Sequence, residues 1–362
     1  MPPPWRRRLT VVAGAGLALV LVAAVAVVGW RWWQDRHRTD LERAVAYAPA
    51  DTARFSWTDW EAVRGELGAD LDDRSSAEDV EEFLSDGFDA DLTSGSAMVD
   101  SATVLQQAFG FSPADVAWEL LAQSTAGSVL LVGLPDVLDV DELADGFEAL
   151  GYQRPDEDTG VWDGGEQLVA QLAEQNGSSL SPQFQYLALD PDRHLLMASD
   201  SGPYLRDAVA GLDDDLDDEG LSDVIGAAVG EPLSAAVYTG DNACKALAMA
   251  QADESDQSSA DPLVTAAGGV DPLTGFAMAA EPDGTVRVAM AFEDDDRARR
   301  NADSRAELAA GPAPGQGGDF PDRFDLGPVT ADGRVVTMEL TPVDDSSVLS
   351  DLSTGPVLFA TC

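Results

Sequence analysis

From Leu9 to Trp30 the chain runs for 22 residues without a charge (LTVVAGAGLALVLVAAVAVVGW). At a rise of 1.5 Å per residue a helix of that length spans the roughly 30 Å hydrocarbon layer of a bilayer. Arg6, Arg7 and Arg8 precede the run, and Trp30, Trp32 and Trp33 follow it as an aromatic belt for the far headgroup level. The pattern predicts a single-pass anchor: residues 1–8 a cytoplasmic basic tail, 9–30 a transmembrane helix, and 31–50 a juxtamembrane stalk. The competing reading is a cleaved signal peptide, since Ala24-Val25-Ala26 fits a small-x-small cleavage site. Cleavage there would leave Val27, Val28, Gly29 and Trp30 as a greasy new terminus, which favours the anchor. Three arginines stand on each side, so the α-amino group decides the orientation. It tips the N-terminus inward and places residues 39–362 outside the plasma membrane.

The outer part is a polyanion. Six of the 21 basic residues lie within residues 1–38, leaving 15 against 65 acids, a formal −50 over 324 residues. Affinity for nucleic acid comes chiefly from neutralising phosphates, so that class of partner is excluded. The expected partners are the lipid bilayer through residues 9–30 and an envelope protein or ligand. The 45% apolar content suits a chain that buries a core.

Two cysteines, Cys244 and Cys362, are the whole complement. An even pair suits an oxidising compartment, and a bridge between them would close a 118-residue loop and tether the C-terminus. Two inert buried thiols are the alternative.

The organisation of the outer part reads as α+β (mixed α/β), with residues 51–230 and 231–362 as two related halves of one acidic domain. Asp51–Trp60 reads as an edge strand or capping segment, rich in aromatic area. Val80, Phe83 and Leu84 are spaced as in a short helix, and Ser112-Pro113 with Asp115 predicts a helix to about Gln123. Strand then helix recurs, as 128–134 with 139–150 and as 233–238 with 241–252. Hairpins recur too. Residues 184–189 and 195–199 flank Asp190-Pro191-Asp192-Arg193, and residues 273–280 and 285–293 flank Glu281-Pro282-Asp283-Gly284. In the last of these, Val286, Val288, Met290 and Phe292 alternate with Arg287, Ala289, Ala291 and Glu293, which predicts one dry face and one wet face. A helix over 294–309 opens with three aspartates at the positive end of its dipole, a strand follows at 335–340, and a short helix at 346–352. Residues 253–261 and 311–318 read as surface loops, as does Asn176-Gly177-Ser178.

The motifs of catalysis are thin. The outer part offers one histidine, His194, beside a hairpin turn; no G-x-S-x-G elbow or P-loop is present, and Lys245 is the only lysine. Carboxylates are too numerous for any pair to stand out. One acidic run fits half of a calcium loop: Asp215, Asp217 and Glu219 at positions 1, 3 and 5, Gly220 at 6 and Asp223 at 9. Gly226 stands at position 12, where a bidentate glutamate belongs, so a solvated linker between the halves is the alternative account. No other cofactor is expected.

A basic start, one anchor and Ala48-Pro49-Ala50-Asp51-Thr52 opening an acidic outer domain resemble uncharacterised exported, membrane-anchored proteins of actinobacteria. That resemblance implies an envelope location and brings no functional residue with it. The expected function is a membrane-tethered, non-enzymatic binding or scaffold domain at the cell envelope. The alternatives are an extracytoplasmic hydrolase working through carboxylates or a divalent metal, and a calcium-stabilised surface domain.

Overall fold

In the computed structural model of the protein, residues 38–362 are described apart from 73, 158–159, 215, 217, 228–230 and 344–345. The expected anchor at 9–30 lies outside the described residues, and among these no helix is long and apolar enough to cross a membrane. The chain is a mixed α+β fold built on one eleven-stranded antiparallel sheet.

The first half runs β1 (Arg54–Thr58), α2 (Trp60–Leu67), α3 (Ala77–Asp89), β2 (Trp118–Gln123), β3 (Ser128–Gly133), α4 (Val140–Leu150), β4 (Val161–Asp163), α5 (Gly165–Asn176), β5 (Tyr186–Asp190), β6 (Leu195–Ser199) and α6 (Gly202–Ala210). It is preceded by α1 (Asp40–Ala46) and joined by α7 (Glu219–Ala227) to the second half. The second half runs β7 (Ser234–Thr239), α8 (Gly240–Leu247), α9 (Glu254–Ala266), β8 (Gly275–Ala280), β9 (Val286–Ala291), α10 (Asp295–Ala309), β10 (Phe324–Asp332), β11 (Val335–Pro342) and α11 (Val348–Leu352). With β4 and α5 set aside as an insertion, and the short helical segment at 99–109 left out, both halves repeat the same run: strand, two helices, hairpin, helix, hairpin, helix.

The sheet repeats with them. Its order is β10-β11-β9-β8-β7-β1-β2-β3-β6-β5-β4, so the halves read β1-β2-β3-β6-β5 and β7-β8-β9-β11-β10 outward from a shared centre. There β1 and β7 pair antiparallel, Phe55 opposite Val237 and Trp57 opposite Ala235. An antiparallel join between like elements relates the halves by a local two-fold axis through the sheet. The strand order is thus the same on either side of the β1–β7 join.

The two faces differ in side-chain size. One face carries Leu130, Val132, Phe276, Met278, Val288, Met290, Val336 and Met338 under α2, α3, α10 and the C-terminal segment. The other carries Phe55, Trp57, Leu120 and Leu131 in the first half, but Ala235, Ala277, Ala279, Ala289 and Ala291 in the second. The expected wet face is therefore dry, because Ala289 and Ala291 are fully buried beneath α7. Alanine lets that helix come close: a Cβ on Gly220 would lie 1.9 Å from the Thr274 carbonyl oxygen.

Several local expectations change. The segment at 51–60 holds the central strand rather than an edge, since Phe55 and Trp57 bury between β7 and β2. The helix expected from Ser112 stops after one turn, and β2 takes over because Trp118, Leu120 and Ala122 alternate onto one face. The loop expected at 253–261 is α9, a surface helix that buries only Ala260 and carries Pro262. Asn176 ends α5, with Gly177 as its left-handed cap (φ 63°). The segment read as a stalk is folded from Asp40 onward. Thr39 and Glu42 form a reciprocal cap, and Leu41, Ala44 and Val45 bury against the sheet.

Candidate functional site

Cys244 in α8 and Cys362 form a disulfide, with Cα atoms 5.5 Å apart. The C-terminal segment it tethers also hydrogen-bonds to the second half: Val357 N donates to Leu247 O (2.8 Å) and Met249 N to Thr361 Oγ1 (2.9 Å).

Of the candidate calcium ligands, Asp215 and Asp217 lie outside the described residues. Glu219 opens α7, and Asp223 follows one turn later. Both meet Arg334 on the hairpin of β10 and β11, whose Nη1 reaches Glu219 Oε2 (3.0 Å) and whose Nη2 reaches Asp223 Oδ2 (2.7 Å). Gly220 lies in the helix and serves its close approach to β8. Among the described residues no group of three or more His, Cys, Asp or Glu side chains is placed to hold a metal. His194 sits at the β5–β6 turn in a left-handed conformation (φ 48°), 3.8 Å from Asp136.

A different set of residues comes together where the two halves meet. A cleft of about 780 Å³ opens beside the β8–β9 turn. The first half supplies Glu66 and Leu67 at the end of α2 and Phe88, Asp89, Asp91 and Leu92 at the end of α3. The second half supplies Leu233, Ala280, Glu281, Val286 and Val343. Four of these side chains are carboxylates, and among the described residues no lysine or arginine lines the cleft. Phe88 stands at its rim, 63% exposed, beside acidic neighbours.

Two of the four carboxylates are constrained. Asp91 takes a left-handed backbone (φ 60°) that places its carboxylate against α11, where it accepts from Leu349 N (2.6 Å) and Ser350 N (3.1 Å). Burial raises its pKa, and the hydrogen bonds from Ser350 and Leu349 pull against that rise. Glu281 begins the turn and is only 8% exposed. Its Oε1 has no hydrogen-bond partner; Arg287 Nε lies 3.4 Å away, an ion pair without hydrogen-bond geometry. Burial raises the Glu281 pKa, with the Arg287 charge as the main opposing influence. Arg287 is shared, since its Nη2 also faces Glu339 at 3.7 Å.

Glu119 and Arg305, buried charges away from the cleft, hold the scaffold. Glu119 on β2 accepts from Ala97 N (2.8 Å) and Trp60 Nε1 (3.3 Å), which pins the 93–98 loop to the sheet. Burial pushes its pKa up to about 7. Arg305 in α10 donates to Phe359 O (2.6 Å), Asp271 O (2.8 Å) and Asn301 Oδ1 (3.1 Å), and burial pulls its pKa down to about 9. The sequence marked none of the cleft residues as functional. Glu281-Pro282-Asp283-Gly284 was legible as a turn, whereas the side it presents to α2 and α3 is set by strand pairing across the chain.

No protein-family model and no curated protein sequence matches this chain. A solved structure of TP0453, in its crystal form I, is similar with a TM-score of 0.37 at 6% identity, covering 88% of this chain and 98% of that chain. A likeness that distant says nothing of function.

Proposed function

We propose that this protein is a non-enzymatic binding or scaffold domain held at the bacterial cell envelope, anchored by residues 9–30 with residues 39–362 outside the plasma membrane. The cleft between the halves is its binding face. The observation that carries this reading is the cleft itself: its volume of about 780 Å³ lies in the range of ligand sites, and its lining combines aliphatic side chains with carboxylates. Its place at the junction of two repeated halves is also where binding sites tend to form.

The test is site-specific photo-crosslinking in cells that carry the full chain. A photoreactive residue at Phe88 on the cleft rim is compared with one at Val137, an 84% exposed apolar residue elsewhere. A discrete adduct at position 88 that is missing at 137 supports the reading; adducts at neither site, or equal adducts at both, overturn it. Alkaline phosphatase fused to the C-terminus tests the topology, because it is active only outside the membrane.

One observation favours a second reading, hydrolysis through carboxylates: Asp91 and Glu281 share the cleft and both have raised pKa values. Their commitments to α11 and Arg287 weigh against it. Hydrolysis of an envelope glycan or peptide that disappears in Glu281→Gln would establish it.

A further inference from the structure

We infer that the cleft between the halves binds a small organic cation that carries N–H donors on an apolar body, with Glu281 as its anchor. The inference rests on the proposed reading of the cleft as a binding face and specifies its ligand. Glu281 is more than nine-tenths buried, lines the cleft and keeps one carboxylate oxygen without a hydrogen bond. That oxygen is closed off and faces only Arg287 Nε at 3.4 Å, so the carboxylate as a whole is under-bonded, and a donor arriving from the cleft would complete it at the other oxygen.

The charge around it points the same way. Arg287 is the cation that faces Glu281, and it is divided between Glu281 at 3.4 Å and Glu339 at 3.7 Å, with Asp283 adding further negative potential. Three carboxylates around one guanidinium leave the turn net negative. Glu66 and Asp89 add charge at the mouth, where both are exposed. A phosphate or carboxylate ligand would meet only repulsion here.

The walls decide between an inorganic and an organic cation. Leu67, Leu92, Leu233, Val286 and Val343 give no oxygen ligands, and Asp91 spends its two oxygens on backbone N–H groups of α11. Among the described residues a metal would find too few donors. An ammonium needs only one or two acceptors at its head, and an alkyl or aryl body would bury against the aliphatic side chains. The charge assists the hydrogen bond to Glu281, and the small volume of the cleft limits the body to that of a drug-sized molecule.

The full chain in zwitterionic lipid nanodiscs is titrated calorimetrically, with empty nanodiscs subtracted. The probes are hexylammonium, hexyltrimethylammonium, hexanoate and spermidine. The expected result is saturable binding of hexylammonium, at least tenfold weaker binding of the trimethyl analogue that lacks N–H donors and of spermidine that lacks an apolar body, and none of hexanoate. Glu281→Gln should weaken hexylammonium at least tenfold. Asp89→Lys, a change at an exposed rim position that leaves the core untouched, should weaken it severalfold. Equal binding of hexanoate, or of the trimethyl analogue, overturns the inference while leaving the cleft a binding face. Hexylammonium affinity unchanged in both variants, or no hexylammonium binding at all, also overturns it; the crosslinking at Phe88 then stands or falls separately.

Discussion

Replacing Glu119 by glutamine should flatten part of the pH dependence of folding. Glu119 is buried on β2, next to the central strand, and its carboxyl moves from an ordinary 4.5 to about 7 in the folded protein. Each factor of ten in proton affinity is worth about 1.4 kcal/mol, so the native state holds this proton more tightly by on the order of 3 kcal/mol. The sign follows from proton counting. Between pH 4.5 and 7 the folded protein keeps a proton that the unfolded chain has released, so stability is greatest below 4.5 and falls as the pH rises to about 7. Asp59, Asp91 and Glu281 are raised as well and act in the same direction, as does the self-repulsion of a strongly acidic chain. The measurement must therefore be a difference of differences: urea unfolding of the wild type and of Glu119→Gln, each at pH 5 and pH 8. The wild type should lose on the order of 3 kcal/mol more than the variant between the two conditions. Equal losses would mean that Glu119 titrates near its ordinary value, and the account of it as a desolvated pin for the 93–98 loop would have to be abandoned.

Other perturbations probe other parts of the structure. Reducing the Cys244–Cys362 bridge opens a 118-residue loop and should lower unfolding stability by roughly 4 kcal/mol, read as a shift of the denaturation midpoint with reductant. Arg305→Met removes the donor from the carbonyls of Phe359 and Asp271 and should cost about 3 kcal/mol in urea unfolding, with faster amide exchange in the C-terminal segment. Gly220→Ala would drive a Cβ into the backbone of Thr274 and should cost about 2 kcal/mol or more, whereas Gly226→Ala in the same helix meets nothing within 4 Å and should gain up to about 1 kcal/mol. With Glu219 and Asp223 both on Arg334, a calcium chelator should leave the melting midpoint unchanged; a drop would show that the acidic run with Asp215 and Asp217 takes up the ion.

The parts of this fold that could be read in advance are those decided within about fifteen residues. Helix α10 announced itself through Asp294, whose side chain accepts from Arg297 N, and the hairpins through their turn residues. What stayed hidden depends on partners far along the chain. Arg54-Phe55-Ser56-Trp57-Thr58 has the composition of an edge, yet it is the centre, because β7 supplies its second neighbour some 180 residues later. Ala289 and Ala291 look like a weakly polar face until α7 covers them, and only then does small size become the reason for their choice. The cleft was illegible for the same reason. Phe88 and Glu281 are nearly two hundred residues apart, and the turn motif that holds Glu281 says nothing of what it faces.

The repeat also accounts for why the cleft lies where it does. Each half sends a pair of helices from its first strand, α2 and α3 after β1 and α8 and α9 after β7. In the second half the end of α8 is closed over by the C-terminal segment. Val357 bonds to Leu247, Thr361 bonds to Met249, and the disulfide fixes the segment in place. Among the described residues no such tail arrives in the first half. The ends of α2 and α3 instead look across at the β8–β9 turn, and Glu66, Leu67, Phe88 and Leu92 remain as one wall of an open cleft. Apart from the β4–α5 insertion, the two copies of one topology thus differ in a tethered tail, and the half without it keeps a wall of exposed carboxylates and partly covered aliphatic side chains. A tail fused onto the first half, or a ligand bound there, would do for α2 and α3 what residues 357–361 do for α8: remove apolar surface from water and so raise stability. Any occupant of the cleft should therefore raise the melting midpoint in proportion to the logarithm of its concentration once above its Kd, and an occupant that binds without doing so would show that it sits somewhere else.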